Sequence, residues 1–228
     1  LDRAEPGVEV DAVAALAAPF PVLVIADLLG VGDGDLADFR RWSDACIEGA
    51  DGAGGRDGLA AVLQLLDFLG AHVDDRRARP DADRDDGGDL VAKLAHGEVG
   101  GCPVQRDDAV QYCLALLVAG NETTRHLLSG SLLALTAEPD QRAALAADPS
   151  LVPGAVEELL RWTTPIQAFG RTATAEVELG GQRIAEGDWV VLSYASANRD
   201  ESVFGPSADR LDVRRPVPPA PLAFGFGE

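Results

Sequence analysis

The sequence has 228 residues, 46% of them hydrophobic and 5% aromatic, so it can form one large domain or two small ones with a core of mainly Ala, Leu and Val. Asp and Glu total 38 against 19 Lys and Arg, and the net charge of -19 repels phosphate backbones and anionic lipids, which argues against a nucleic-acid or membrane partner. The three cysteines lack metal-type spacing, so neither a disulfide framework nor a zinc site is indicated, and a reducing cytoplasm is expected.

The first half of the chain predicts helices that are separated by loops rich in Gly and Asp. Apolar residues recur at helical spacing in several segments, and Gly30 is suited to end the first of them. The predicted helices lie within 9–30 and at 34–50, 59–83 and about 89–96. Residues 80–89 are rich in Asp and Gly, so we expect them to be mobile, and a loop with Gly100 and Gly101 is expected before the next helix.

The second half begins with one long helix and then changes its periodicity. The long helix is predicted at about 107–135, and its apolar stretch 112–120 predicts enclosure by other helices. Two further helices are predicted at 138–148 and 149–162. Alternating residues then predict a small β region at about 168–195, with a hairpin at Gly180-Gly181, and an irregular meander follows at about 197–228. The predicted fold class is mainly α with a small antiparallel β part (α+β).

The sequence Ala-Gly-Asn-Glu-Thr-Thr, which begins at Ala119, places polar side chains in the middle of the long apolar helix. A structural interpretation is available for each side chain, because Glu122 can pair with Arg125 or His126 and Thr123 can hydrogen-bond the carbonyl of Ala119. A functional interpretation is that the small residues leave room for a flat cofactor, beside which the acid and the alcohol move protons. These residues alone favour the structural interpretation, so the choice depends on other motifs.

Three further motifs follow along the chain. Glu158 and Arg161 form Glu-x-x-Arg on one predicted helix, Asn-Arg-Asp begins at Asn198, and Phe-Gly-x-Gly begins at Phe224. Each has an ordinary explanation alone, and an exposed ion pair of the first kind contributes under ~1 kcal/mol. In this order and spacing, the four motifs together resemble the bacterial cytochrome P-450 family, the haem-thiolate monooxygenases. The resemblance is strong from about residue 112 to residue 228 and weaker before it.

The resemblance implies a partial cytochrome P-450 domain over residues 1–228, in which the long helix crosses the distal face of a haem. By this resemblance Ala119 and Gly120 are cofactor contacts that leave room for dioxygen beside the iron. Glu122 and Thr123 are then the catalytic residues, because Glu122 feeds protons toward the bound oxygen and Thr123 hydrogen-bonds it.

The same resemblance assigns the remaining cofactor and substrate contacts. Arg171 is expected to clamp a haem propionate, since a guanidinium group matches a carboxylate. Phe224 and Gly225 are expected in the loop that lies against the haem. The residues expected to line the substrate pocket are Val118, Ile166 and Gln167.

A structural role is implied for the Glu-x-x-Arg motif. Glu158 and Arg161 are expected to form a buried ion pair that braces the core on the haem side. A third partner is expected from the meander, and Arg215 is preferred over Arg214 for that position. A buried pair of this kind must be fully hydrogen-bonded, and losing one partner costs about 3–5 kcal/mol.

The implied enzyme is a cytoplasmic bacterial monooxygenase that hydroxylates a hydrophobic small molecule of the terpene, steroid or polyketide type. It uses haem b, dioxygen and electrons from NAD(P)H, which a ferredoxin-type donor and its reductase deliver. The family pattern continues to an axial Cys, which is expected just beyond Glu228, so no metal ligand is expected within the chain. Leu at position 1 and the absence of Met also suggest an incomplete chain, which we expect to be inactive alone.

Two other interpretations remain open on the sequence. One is a haem-free helical protein that binds a hydrophobic ligand. The other is an acidic interaction module, which predicts no large cavity between the long helix and residues 164–169. Cys102 precedes Pro103, and a Cys-Pro dipeptide can ligate a regulatory haem, but its Gly-rich surroundings predict an ordinary surface position.

Overall fold

The computed structural model describes residues 7–50, 55–79, 89–216 and 221–225. Within these residues the chain is mainly helical, with short antiparallel strands, which confirms the predicted fold class. The helices are α1 (Pro19–Leu28), α2 (Leu36–Ala50), α3 (Gly55–Ala78), α4 (Leu90–His96), α5 (Arg106–Ala137), α6 (Pro139–Ala147), α7 (Val152–Thr163), α8 (Tyr194–Ala197) and α9 (Glu201–Phe204). The strands are β1 (Glu98–Val99), β2 (Cys102–Pro103), β3 (Ala168–Thr172), β4 (Val177–Leu179), β5 (Gln182–Ile184) and β6 (Trp189–Ser193).

The helix ends follow the local chemistry of the sequence. Gly30 follows α1 with a φ of +68°, a conformation that a residue without a side chain adopts easily. Asp89 caps α4 by accepting a hydrogen bond from the backbone N–H of Ala92. Pro139 occupies the first position of α6, where no intrahelical N–H is needed.

Two segments predicted to be irregular flank α4. The loop expected around Gly100 and Gly101 is a small hairpin, because β1 and β2 pair across these two glycines, whose φ angles are +60° and +78°. Of residues 80–89, for which mobility was predicted, residues 80–88 lie outside the described residues, and Asp89 is the cap of α4.

The chain divides into two compact units, Leu1–Arg125 and His126–Glu228, and the division falls within α5. The expectation of one partial domain over residues 1–228 stays a prediction. The core of the first unit brings together apolar side chains from α1, α2, α3, α4 and the first half of α5. Its fully enclosed residues include Leu29, Phe39, Leu69 and Val73.

The first half of α5 buries only one face. Cys113 and Leu117 are 0% and 1% exposed, whereas Tyr112 and Val118 are 48% and 42% exposed. The prediction that residues 112–120 are enclosed on all sides is therefore wrong for the described part of the chain. The physical reason is that residues at four-residue spacing pack against the core of the first unit, while the opposite face keeps its apolar side chains accessible.

The second unit combines helices α6 to α9 with two separate two-stranded sheets. β3 pairs with β6 in antiparallel register, with Gly170 opposite Val191, and β4 pairs with β5. The β4–β5 turn contains Gly180 and Gly181 at φ angles of +57° and +75°, as the predicted hairpin requires. Small clusters of buried side chains join the end of α5, α6 and α7 to the segment around Leu211.

Candidate functional site

Glu158 and Arg161 form a fully buried ion pair on α7 in the second unit. The Arg161 Nε lies 2.7 Å from Glu158 Oε2, and Arg161 Nη2 lies 2.8 Å from Oε1, so the guanidinium group binds both carboxylate oxygens. The two side chains are only 1% and 2% exposed. Arg215 donates from its Nε to Glu158 Oε2 at 3.0 Å, whereas Arg214 is exposed. The structure thus brings Glu158, Arg161 and Arg215 together.

The remaining donors of Arg161 are also satisfied. Its Nη1 donates to the carbonyls of Asn198 and Ala208, both at 2.7 Å, and its Nη2 donates to the carbonyl of Arg210 at 2.9 Å. A lysine has only three donors on one atom and cannot reproduce this fork. The buried charge is therefore compensated by a carboxylate and by three backbone carbonyls of the meander.

Asn198 is a second buried connection, and the sequence reasoning assigned it no role. It is 0% exposed, its Nδ2 donates to Thr164 Oγ1 at 3.0 Å, and its Oδ1 accepts from the backbone N–H of Leu222 at 2.8 Å. Thr164 follows α7 at a φ of +42°, which is unusual for a β-branched residue, and its hydroxyl donates to the carbonyl of Arg161. The signal for Asn198 was present in the Asn-Arg-Asp motif.

The segment that Asn198 holds contains the two predicted cofactor contacts Phe224 and Gly225. Phe224 is 85% exposed, an unusual position for a large aromatic side chain. Gly225 has a φ of +79°, and a Cβ atom there would stand 3.2 Å from the Tyr194 hydroxyl. The segment therefore presents an accessible aromatic ring beside a position where a side chain would be strained.

Arg171 lies on β3 and is exposed. It donates to the carbonyl of Gly170, and its guanidinium carbon lies 5.8 Å from the centre of the Phe169 ring. In the part of the chain that the structure describes, no carboxylate pairs with Arg171. An exposed guanidinium group that pairs with no carboxylate of the described residues suits the predicted contact with an anionic group.

A groove of about 500 Å³ lies in the second unit, between the end of α5 and the segment after α7. Its lining includes His126 and Gly130 from α5 and Trp162, Thr163, Thr164 and Gln167 from the other side. Gln167 is a predicted pocket residue, while half-buried Ile166 does not line the groove. The interaction-module interpretation predicts no large cavity at this place, so the groove counts against it.

The central motif of α5 lies in the first unit and begins with small residues. Ala119 is exposed, and the Thr123 hydroxyl donates to the Ala119 carbonyl at 2.6 Å. Gly120 is half-buried, and a Cβ atom on it would lie 3.2 Å from Cδ1 of Ile25 on α1. Val118, a predicted pocket residue, is exposed on this helix.

Glu122 and Arg125 form the pair that the structural interpretation predicts. Arg125 Nη2 lies 3.5 Å from Glu122 Oε1, and the two side chains are 31% and 43% exposed respectively. Thr123 likewise makes its predicted bond with Ala119. Both contacts leave the functional interpretation open, because Glu122 keeps access to water and the oxygen of Thr123 can still accept a hydrogen bond.

Two cysteines of the described residues, Cys46 and Cys113, are poor thiolate donors. Burial raises the pKa of Cys113 to about 11, and burial also raises the pKa of Cys46, so both stay protonated near neutral pH. Cys102 is exposed in the β1–β2 hairpin. Within the described residues, no group of three or more His, Cys, Asp or Glu side chains is arranged to hold a metal ion.

The side chains present fit the organic part of a haem better than its iron. Ala119 and Val118 give α5 an accessible apolar surface, Phe224 offers an exposed ring, and Arg171 offers a cation for a propionate. Each unit by itself therefore carries residues of the kind that hold a haem. None of the described helices has the length and apolar character needed to cross a membrane.

Known proteins of one family are similar to this chain. The family model described as Cytochrome P450 matches residues 59–228. Steroid C26-monooxygenase of Mycobacterium tuberculosis (strain CDC 1551 / Oshkosh) is 40% identical over 223 residues, which are 96% of this chain and 58% of that protein. Linalool 8-monooxygenase of Pseudomonas putida is 40% identical over 219 residues, covering 94% of this chain and 52% of the relative.

Solved structures show the same relationship. The ligand-free structure of cytochrome P450 TbtJ1 superposes with a TM-score of 0.85 at 37% identity and covers 97% of this chain and 58% of its own. CYP109E1 from Bacillus megaterium in complex with testosterone has a TM-score of 0.85 at 30% identity, with coverages of 96% and 57%. The predicted helical fold is confirmed, and the chain spans about half the length of the relatives it matches.

Proposed function

Because the chain belongs to the cytochrome P450 family, we propose that its protein is a haem-thiolate monooxygenase that hydroxylates a hydrophobic small molecule. The observation that carries the proposal is the match to the family model, which includes the α5 segment where the Thr123 hydroxyl donates a hydrogen bond to the Ala119 carbonyl next to the half-exposed Glu122. This bond occurs in the small-residue stretch of α5 that lies within the part matched to the family.

The residues of this chain would hold haem b through apolar contact and one charged group. Ala119 and Val118 would provide the surface of α5, Phe224 and Gly225 would contribute an aromatic ring and close backbone approach, and Arg171 would bind a propionate. A bound haem supplies the activation of dioxygen with electrons from outside the protein. The chain supplies position, proton transfer and exclusion of water.

Thr123 and Glu122 divide the proton handling between them. The Thr123 hydrogen is committed to the Ala119 carbonyl at 2.6 Å, so the hydroxyl oxygen acts toward a third group as an acceptor. Thr123 therefore orients a ligand that carries a proton. Glu122 is 43% exposed, so its carboxylate can exchange a proton with water and pass it along the helix face.

The substrate and partners follow from the relatives and from the chain's own residues. The named relatives are a steroid C26-monooxygenase and a linalool 8-monooxygenase, and one structural neighbour is the cytochrome P450 PksS of the bacillaene polyketide synthase of Bacillus subtilis 168. We therefore propose a terpene, steroid or polyketide substrate that contacts Val118, Ile166 and Gln167. A ferredoxin-type donor and its reductase would deliver electrons from NAD(P)H in the cytoplasm.

The test is a spectrum of the protein expressed from its complete gene. After reduction under carbon monoxide, we expect the strongly red-shifted Soret band of a thiolate-ligated haem. A band at the position typical of histidine ligation would contradict the proposal. A protein that purifies without haem and cannot be loaded with it would support the haem-free ligand-binding alternative instead.

A further inference from the structure

The middle of α5 has two chemically different faces. Cys113, Leu117 and Asn121, spaced by four residues, are 0%, 1% and 2% exposed, so they define the face that packs into the core of the first unit. Ala119 lies on the accessible side of the helix. Gly120 follows Leu117 by three residues, which places it on the core side. The two small residues of the motif therefore belong to different faces.

The space beside Gly120 is already occupied within the first unit. A Cβ atom built on Gly120 would lie 3.2 Å from Cδ1 and 3.8 Å from Cγ1 of Ile25. The first of these distances is shorter than ordinary van der Waals contact. Ile25 is 4% exposed and belongs to the same core cluster as Leu117 and Cys113, so neighbouring side chains hold it in place.

We propose that Gly120 serves the packing of α1 against α5, with Ile25 filling the place of its missing side chain. Clearance for a small ligand on this helix then comes from Ala119 alone, a part of the inference that rests on the proposed function. Ile25 is a positioning residue, because its contact sets how closely α5 approaches α1. That approach determines where the Ala119 carbonyl and the Thr123 hydroxyl stand.

A double-mutant cycle on the protein expressed from its complete gene tests the packing half of the proposal, the contact between Gly120 and Ile25. Alanine has a higher helix propensity than glycine, so G120A at an unpacked position would raise Tm. We expect G120A to lower Tm in the otherwise unaltered protein. I25V removes Cδ1, so we expect G120A to lower Tm much less when it is introduced together with I25V. The proposal is overturned if G120A raises Tm, or if the effects of the two substitutions simply add.

The ligand half is tested by the adjacent substitution A119V. We expect A119V to lower Tm only by the small difference in helix propensity between Ala and Val, and to slow carbon monoxide association with the reduced haem several-fold, whereas G120A combined with I25V keeps the rate of the unaltered protein. The assignment of ligand clearance to Ala119 would be overturned by either of two results. One is slower carbon monoxide association in G120A without a loss of Tm, and the other is an unchanged association rate in A119V. If the protein binds no haem, the Tm cycle still decides the packing half, so the two failures are distinguishable.

Discussion

Two Glu-x-x-Arg pairs lie on helices of this chain, and they differ almost entirely in burial. Glu158 and Arg161 are 2% and 1% exposed, and their closest nitrogen–oxygen distance is 2.7 Å. Glu122 and Arg125 have the same spacing, but they are 43% and 31% exposed and stand 3.5 Å apart. The same local pattern therefore produces a locked structural ion pair in one unit and a loose, water-accessible pair in the other.

The surroundings of each pair explain this difference. Glu158 accepts further hydrogen bonds from Arg215 and from the backbone N–H of Asp212, so its carboxylate is saturated with donors. A buried charge persists only with such compensation. Glu122 faces a half-exposed environment in which water screens its attraction to Arg125. Water therefore reaches the carboxylate of Glu122, whereas the carboxylate of Glu158 is shielded from water.

The largest effect is expected from Glu158→Gln. This change leaves the cations of Arg161 and Arg215 buried without their carboxylate, which should lower the free energy of unfolding by about 3–5 kcal/mol. Urea denaturation monitored by circular dichroism measures the loss. Glu157→Gln is the matched control, since it removes the same charge one residue earlier, and we expect it to cost under ~0.5 kcal/mol. Equal stability of the two variants would show that the buried network contributes little.

Asn198→Asp should give the next largest effect, because Asn198 links the buried network to the Phe224 segment. The variant keeps the acceptor for Leu222 N but replaces the donor to Thr164 Oγ1 with an acceptor. The Thr164 hydrogen is already committed to the Arg161 carbonyl, so two oxygens would face each other, at a cost of about 1–3 kcal/mol.

Thr164→Val is the partner substitution for this test, because it removes the hydroxyl and keeps the β-branched shape. We expect Asn198→Asp to cost less in the Thr164→Val background than in the unaltered protein. Amide hydrogen exchange at residues 222–225 should become faster in Asn198→Asp alone. Additive free energies with unchanged exchange would refute the linking role of Asn198.

A smaller effect on stability is expected from Cys113, which is buried in the core of the first unit. Burial raises the pKa of Cys113 from 9.0 to about 11, so the unfolded chain loses this proton at a lower pH than the folded protein does. This contribution to stability is present below pH 9 and is lost as the pH rises toward 11. Cys113→Ser should remove this part of the alkaline loss. Native alkylation should label Cys102, and labelling of Cys113 at pH 8 without unfolding would contradict the burial.

The sequence predicts helices and motifs well where local chemistry decides them. The end of α1 at Gly30, the Gly180-Gly181 hairpin and the long α5 all follow from residue types and periodicity. The three members of the buried network were predicted through the family resemblance, since no spacing rule by itself distinguishes Glu158 from Glu122. Burial decides between them, and burial depends on side chains that are distant in sequence, such as Arg215.

The misjudged positions have the same origin. An apolar run such as residues 112–120 indicates that a helix can be buried on all sides. Tertiary packing alone decides which of its faces are buried. The role of Gly120 likewise depends on Ile25, which lies 95 residues earlier in the sequence. Asn198 hydrogen-bonds Arg161, Thr164 and Leu222, which are distant from it in sequence. The sequence therefore shows the Asn-Arg-Asp motif but not the partners of Asn198.

The smallest effect on stability is expected from Glu122→Gln, which tests the accessible pair directly. Because the pair is half exposed, the substitution should change the free energy of unfolding by less than ~1 kcal/mol, in contrast to Glu158→Gln. If Glu122 supplies protons, this variant should consume NAD(P)H with more hydrogen peroxide and less hydroxylated product, because an amide cannot exchange a proton as a carboxylate does. The measurement is the ratio of product to NAD(P)H consumed. A variant that folds normally and stays tightly coupled would show that Glu122 does not deliver protons.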